Sequence, residues 1–367
     1  MPTVTFYPTG NAGACLIQLK NDRKIIFDYA NTYDPDSGSK YIDLEKEICD
    51  TVGRGNRVDV LAISHLDRDH YKGVSSLFWL EYAEKYQDDN RIKVDTLWVP
   101  AAAILEEGIT EEGRIIRAEA RHRLKEGTGI RVFSRPEALE EWLKNNGIKL
   151  ADRENLITDA GDLADEFNLS HDGVEFFVHS PFAERAEDGE LIIRNDSGLF
   201  MQAVFTVDGV TSRLILSADT PHELLDGIVG VTKKHGHEDR LKWDIFNIPH
   251  HCSYLSLAEE KGNDKTIPSA NIKWLYEEQG ENHGLLISSS DVIPKKDTKQ
   301  PPHRQAAAYY EEAASSLNGE FLVTLEEPTP SNPKPLTIEI TSSGYRQKKQ
   351  TASPSIIVST DKPPRAG

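Results

Sequence analysis

The sequence predicts a layered α/β domain, on three observations. Short apolar, β-branched runs recur from residue 4 to about residue 344, separated by turns rich in Gly, Pro, Asn and Asp. Segments with helical spacing and charged faces alternate with these runs, which places strands next to helices in layers. At 367 residues and 38% hydrophobic content, the chain is long enough for one large or two modest cores.

Residues 4–8 (VTFYP), 14–19 (ACLIQL) and 24–30 (KIIFDYA) read as three strands of a meander, parted by turns at Gly10, Gly13 and Asn21-Asp22. Asp28 ends the third strand on a polar side chain. Residues 41–53 suit a helix leading into a buried strand at 58–64 (VDVLAIS), and 94–100 (VDTLWVP) suits the next strand. From 101 to 168 the chain turns charged, rich in Ala, Leu, Glu and Arg and helical in period, so it reads as a helical insertion able to cap a site. His122, between Arg121 and Arg123, fits a solvated helix face there. Strands resume at 174–180, 198–207 and 212–219, and the Asp208-Gly209 turn between the last two signals a hairpin. Apolar runs at 243–251 and 283–290 end in polar residues, a helix spans 303–317 after Pro301-Pro302, and strands follow at 320–327 and 336–344. The chain thus divides into a domain of residues 1–344 and a polar, proline-containing tail of residues 345–367 expected to be flexible.

Composition narrows the function classes. A formal charge of −18 repels polyanions over most of the surface, although Lys295, Lys296, Lys299 and Arg304 cluster within ten residues and Lys233-Lys234 precede another histidine-containing stretch. Cys15, Cys49 and Cys252 are widely spaced without a CxxC pair, which speaks against a disulfide scaffold or a thiolate zinc site and for a reducing compartment. MPTVTFYPTG carries no basic segment followed by an apolar run, and no stretch approaches the roughly 18 apolar residues of a membrane span, so a cytoplasmic protein is expected.

The densest chemistry lies in SHLDRDH at 64–70, where His65, Asp67, Asp69 and His70 follow a buried strand. Imidazole nitrogen and carboxylate oxygen suit zinc, manganese or iron, and alternating ligands in a turn can face two neighbouring ions. Such a pair of ions would hold a shared hydroxide and clamp both ends of an in-line displacement. Three further strand ends carry chemistry of the same kind. Asp219 closes SRLILSAD, either as a bridging carboxylate or as a helix N-cap before Pro221. His250 and His251 close WDIFNIPHH, one able to face metal and the other to hand a proton to a leaving group, with His250 favoured as the inner residue. His303 precedes the helix at 303–317, either as a ligand or as a helix N-terminal residue.

The segment HLDRDH is similar to the His-x-His-x-Asp-His signature of the metallo-β-lactamase superfamily, with Asp67 in place of the second histidine. That substitution, with NIPHHCSYLS at 247–256 and ISSSDVIPKKDTKQPPHRQ at 287–305, resembles the branch containing the soluble hydrolase domain of ComEC-type DNA-uptake proteins; Cys252 stands where that branch has glycine. The resemblance implies an αββα four-layer sandwich and two divalent metal ions. His65 and Asp67 would bind the first, Asp69, His70 and His303 the second, and Asp219 both. His179, ending VEFFVHS, is available as the family's middle histidine; Asn195 and Ser197 match the branch's Asn-x-x-Ser-Leu pattern one residue short. His235 and His237 form an HxH in a charged loop expected to face solvent.

The function implied is a dinuclear metal-dependent hydrolase, a phosphodiesterase or nuclease acting on nucleic acid or nucleotides. Asp69, His250 and His251 would carry the catalytic roles. Replacing histidine by Asp67 adds a hard anionic oxygen and shifts preference from zinc toward manganese or magnesium. Hydrolysis of a small ester, lactone or thioester is the alternative on the same scaffold, and a non-catalytic metal-stabilised interaction protein is a third reading. A protein partner or a homo-oligomer is compatible with each.

Overall fold

Three consecutive antiparallel strands open the chain: β1 (Thr3–Phe6), β2 (Ala14–Gln18) and β3 (Lys24–Tyr29). In this computed structural model, which describes residues 1–182 and 197–348, helix α1 (Leu44–Val52) then leads to β4 (Arg57–Ala62), parallel to β3. The Asp43 carboxylate accepts from the Lys46 amide to cap α1, and Gly53 at φ 89° ends it. Short helices α2 (Arg68–Tyr71) and α3 (Val74–Leu77) precede β5 (Lys93–Pro100), again parallel.

The stretch from 101 to 168 departs from the expected helical insertion. It holds α4 (Ala102–Leu105), α5 (Glu111–Glu126) and α6 (Glu137–Asn145), but also β6 (Ile130–Phe133) and β7 (Ile157–Thr158), which extend the first sheet in parallel. Ile116 and Leu124 of α5 and Leu139 and Leu143 of α6 are buried in one core with Leu61 and Leu97 of the sheet. The stretch is therefore sheet edge and outer helical layer together. A four-residue strand between two helices is too short for periodicity to separate it from helix.

The second sheet starts with β8 (Val174–Ser180), β9 (Phe200–Val207) and β10 (Val210–Ser217), paired antiparallel. Asp208 and Gly209 form the expected hairpin turn, with φ 50° and 84°, the left-handed pair that a two-residue connection requires. Then come α7 (His222–His235), β11 (Trp243–Asn247), α8 (Ala270–Glu277), β12 (Gly280–Ser288), α9 (Arg304–Ser316) and β13 (Glu320–Val323), with β10 to β13 mutually parallel. Helix α7 is weakly marked in the sequence, because Gly227 and Gly230 dilute its helical signal. Finally β14 (Leu336–Thr341) returns beside β1, and β15 (Gly344–Gln347) pairs with it. The first residues assigned to a flexible tail are thus an edge strand; residues 349–367 lie outside the described residues.

The first sheet has nine strands in the order β15-β14-β1-β2-β3-β4-β5-β6-β7, and the second six in the order β13-β12-β11-β10-β9-β8. Alternate side chains of the same strands feed different cores. Ile25 and Val60 pack with Leu214, Leu216 and Ile245 between the sheets, while Ile26 and Leu61 pack outward under α1, α5 and α6. On the far side, Ile215, Phe246 and Leu286 pack under Ile228 of α7, Ile272 of α8 and Tyr310 of α9. Three cores between four layers make the αββα sandwich. Because both faces of each sheet are buried, the central strands read as continuous apolar runs. No helix among the described residues is long and apolar enough to cross a membrane.

Candidate metal centre

Parallel strands point their C-terminal ends at one edge, where side chains leave the sheet for loops. The Leu199 amide donates to the Ser64 carbonyl at 3.0 Å, joining the loop after β4 to the second sheet. Asp69 and His70 come from the loop and short helix after β4, Asp219 from the end of β10, and His250 and His251 from the end of β11.

Asp69, His70, Asp219 and His251 have ligand atoms that all lie within 4.8 Å of one another. His70 Nε2 is 3.2 Å from Asp219 Oδ1, and His251 Nε2 is 3.6 Å from the same oxygen and 3.5 Å from Asp69 Oδ2. The other oxygen, Asp219 Oδ2, faces His250 Nε2 at 3.7 Å. The His65 ring lies tilted against His70 with ring centres 4.1 Å apart, and its Nε2 lies 3.5 Å from Asp67 Oδ2.

Hydrogen bonds on the far side of each ring set which nitrogen is free. His251 Nδ1 lies 2.7 Å from the Ser289 carbonyl, which can only accept, so the proton sits on Nδ1 and Nε2 keeps its lone pair. His70 Nδ1 donates in the same way to Asp28 Oδ2 at 2.7 Å. The Nε2 atoms of His65, His70 and His251 are buried without a hydrogen-bond partner, a costly state for apolar surroundings and the expected one for ligand atoms facing a cation. The donor set fits a divalent metal ion bound by imidazole and carboxylate.

The electrostatics are those of a pocket that attracts positive charge. Burial disfavours charge on Asp219, but His251, His70 and His250 outweigh it and hold the carboxyl well below the usual range. Burial likewise opposes charge on His70, and the Asp28 and Asp219 carboxylates outweigh it to push the ring well up. Asp69 is lowered, its burial overcome by the His251 hydrogen bond and by His70.

The structure places several of the expected residues differently from one another. His251, not His250, joins the close group; His250 sits at its rim with a side chain 21% exposed. His250, His251 and Cys252 all adopt left-handed φ, 52°, 51° and 62°. Consecutive residues therefore do not alternate as they would in a strand, and both rings reach Asp219. The Cys252 conformation also accounts for the glycine that the resembling segment carries at this position. His303 lies outside the close group, at the N-cap of α9. Its Nδ1 lies 3.4 Å from the Tyr254 amide, and its Nε2 is buried without a hydrogen-bond partner.

His179 is buried elsewhere: its Nε2 donates to the Arg240 carbonyl at 2.8 Å, its ring packs on Phe177 and Phe200, and burial lowers its pKa to about 4. It does not complete the first set of ligands. The N-cap of α7 is Pro221, so Asp219 is not a helix cap. His235 ends α7 and His237 follows it, both exposed, so that pair faces solvent as expected although half of it is helical. His122 lies on α5, partly buried. Ser197 is buried, and Asn195 lies outside the described residues.

Three residues unassigned by the sequence support the site from behind. Asp28, at φ 58°, accepts from the Ser64 amide and the Ser64 hydroxyl, each at 2.7 Å, as well as from His70. Gly13 donates its amide to the Asp69 carbonyl at 2.8 Å, and a Cβ there would fall 2.9 Å from both Asp28 Cβ and His70 Nδ1. The available signal was Asp28 itself, a carboxylate ending an otherwise apolar strand.

No family model matches the sequence, and no curated protein matches it. Among solved structures the chain is similar to members of the metallo-β-lactamase superfamily. One is MEM-A1, a subclass B3 metallo-β-lactamase isolated from a soil metagenome library, at 12% identity over 68% of this chain and 76% of that chain with a TM-score of 0.32. Another is the metallo-β-lactamase GOB-18 from Elizabethkingia meningoseptica, at 12% identity over 72% of this chain and 82% of that chain with a TM-score of 0.31. Likenesses of this size carry nothing about activity.

Proposed function

We propose that the protein is a metal-dependent hydrolase of phosphodiester bonds in nucleic acid or nucleotides. The observation that carries the reading is the placement of Asp219, whose Oδ1 faces His70 and His251 while Oδ2 faces His250. Asp69, His70, His251 and one Asp219 oxygen would hold one divalent ion, zinc or manganese. His65, Asp67 and the other Asp219 oxygen would hold a second. When bound, such ions acidify a water and neutralise charge building on a phosphate.

The chain's own groups do the rest. Asp28 and the Ser289 carbonyl keep the protons of His70 and His251 on Nδ1, so their Nε2 atoms stay directed inward. His250 is held below its ordinary pKa, chiefly by burial. A phosphate anion beside it opposes that burial and favours the protonated ring, which can then deliver its proton to the leaving oxygen. His303, with its buried and unpartnered Nε2, would add a further imidazole to the site. The HLDRDH and NIPHHCS segments support phosphodiesters over other esters by their resemblance to the DNA-uptake hydrolases.

The test is metal content and turnover of the same preparation. Protein saturated with manganese or zinc should hold two ions per chain and cleave bis(p-nitrophenyl) phosphate and single-stranded DNA, leaving lactones and thioesters intact. A single ion per chain, or turnover confined to lactones or thioesters, would remove the reading. Two ions without turnover of any substrate would identify a metal-stabilised interaction protein instead.

A further inference from the structure

We propose that residues 291–304 form a track for a polyanionic strand, with Lys295, Lys296 and Lys299 holding phosphates that flank the one at the histidine–aspartate group. The inference rests on the phosphodiester reading and deepens it, because it selects a polymer over a mononucleotide.

The segment is tied to the site at both ends. Asn11 accepts from the Asp291 amide at 2.9 Å and donates to the Pro301 carbonyl at 2.7 Å. Two residues later, Gly13 donates to the Asp69 carbonyl at 2.8 Å. At the far end the His303 amide donates to the Cys252 carbonyl at 3.0 Å, next to His251. In the middle, Lys261 Nζ donates to the Thr298 carbonyl at 3.0 Å. At Asp291, Pro301 and His303 the segment therefore borders the loops that carry the histidine–aspartate group.

Its charges are uncompensated in a definite way. The two acids of the segment are already engaged: Asp291 pairs with Lys40 at 2.8 Å and accepts from Tyr41 at 3.1 Å, and Asp297 accepts from Arg304 at 3.0 Å and Gln305 at 2.6 Å. Lys295, Lys296 and Lys299 are exposed, and among the described residues none of their ammonium groups has a hydrogen bond or ion pair. Two lysines elsewhere on the surface show the contrasting, committed state. Lys233 bonds Asn271 at 3.1 Å and lies 3.9 Å over the Trp274 ring, while Lys265 pairs with Glu312. In a chain of net charge −18, three such cations within five positions next to the site give the local attraction that a polyanion needs against the overall repulsion.

The experiment compares the wild type with the combined K295Q/K296Q/K299Q variant, and with K295R/K296R/K299R as a charge-retaining control. Probes are bis(p-nitrophenyl) phosphate and a fluorescent single-stranded oligonucleotide, with manganese, over a range of salt. Each phosphate contact on a single strand contributes about 0.7 to the slope of log affinity against log salt, so the glutamine variant should lose about 2 in slope. Its KM for the oligonucleotide should rise roughly tenfold or more at low salt, with kcat/KM for the small diester within about twofold of wild type. The arginine variant should keep the wild-type slope. An unchanged slope in the glutamine variant, or equal losses on both substrates, would overturn the track. If the wild type cleaves neither substrate the phosphodiester reading fails, and oligonucleotide binding by fluorescence anisotropy still decides the track on its own slope.

Discussion

Nδ1 of His70 lies 2.7 Å from Oδ2 of Asp28, a residue 42 positions earlier in the chain and on the neighbouring strand. The same carboxylate receives the Ser64 amide and hydroxyl, so it fixes the loop that carries the ligands as well as the ring. Asp28→Asn keeps the size but turns an NH2 toward one of these donors. Metal affinity, measured by chelator competition, should fall roughly 10- to 100-fold. Unchanged affinity would show that the ring is oriented by other contacts.

Gly13→Ala should act on the same pair through space alone. Its Cβ would fall 2.9 Å from Asp28 Cβ and from His70 Nδ1, closer than side chains tolerate. The variant is expected to fold and to bind metal more weakly than wild type. Undiminished affinity in this variant would mean that the loop yields without moving His70.

Asp219→Asn removes the one carboxylate that, among the described residues, faces both His70 and His250. The side chain stands at a strand end, so the fold should persist while one or both ions are lost. Turnover of a phosphodiester is expected to drop about three decades, or about 4 kcal/mol of transition-state stabilisation. A variant with a tenth of wild-type activity would take Asp219 out of the mechanism.

His179 governs part of the acid stability. Burial lowers its pKa to about 4, so between an unfolded value of about 6.5 and that folded value the unfolded chain binds the extra proton. The contribution is therefore present above pH 6.5 or so and is lost as pH falls toward 4, with a magnitude of about 3 kcal/mol. Denaturant titrations of His179→Gln, which can still donate to the Arg240 carbonyl, should show a shallower loss over this range. The same slope in both proteins would assign the acid limb to carboxylates alone.

Cys252 is fully buried at φ 62°. Glycine there gives up a small buried side chain but relieves left-handed strain of about 1–2 kcal/mol, so Cys252→Gly should leave the unfolding midpoint nearly unchanged. Cys252→Val, β-branched in that region, should be strongly destabilising. A tolerated valine would indicate that the turn relaxes to another conformation.

Much of this molecule was legible one residue at a time. Runs such as VDVLAI and LILS mark buried strands because a chain burying both faces of a sheet needs apolar residues at every position, and HLDRDH stands out by its density of imidazole and carboxylate. Local signals failed where length or glycine blurs them, as in β6, β7, β15 and α7. The sequence by itself determined which strand ends gather imidazole and carboxylate, since His65 to His70, Asp219 and the His250-His251 pair each follow an apolar run closely. Only the tertiary structure decided which of those ends meet and which ring nitrogen faces inward. His251 entered the group because a left-handed turn rotates it there, His303 stayed outside at the N-cap of α9, and His179 was claimed by the Arg240 carbonyl. These outcomes depend on backbone dihedrals and on hydrogen-bond partners tens of residues away, and neither is encoded in the spacing of the ligands.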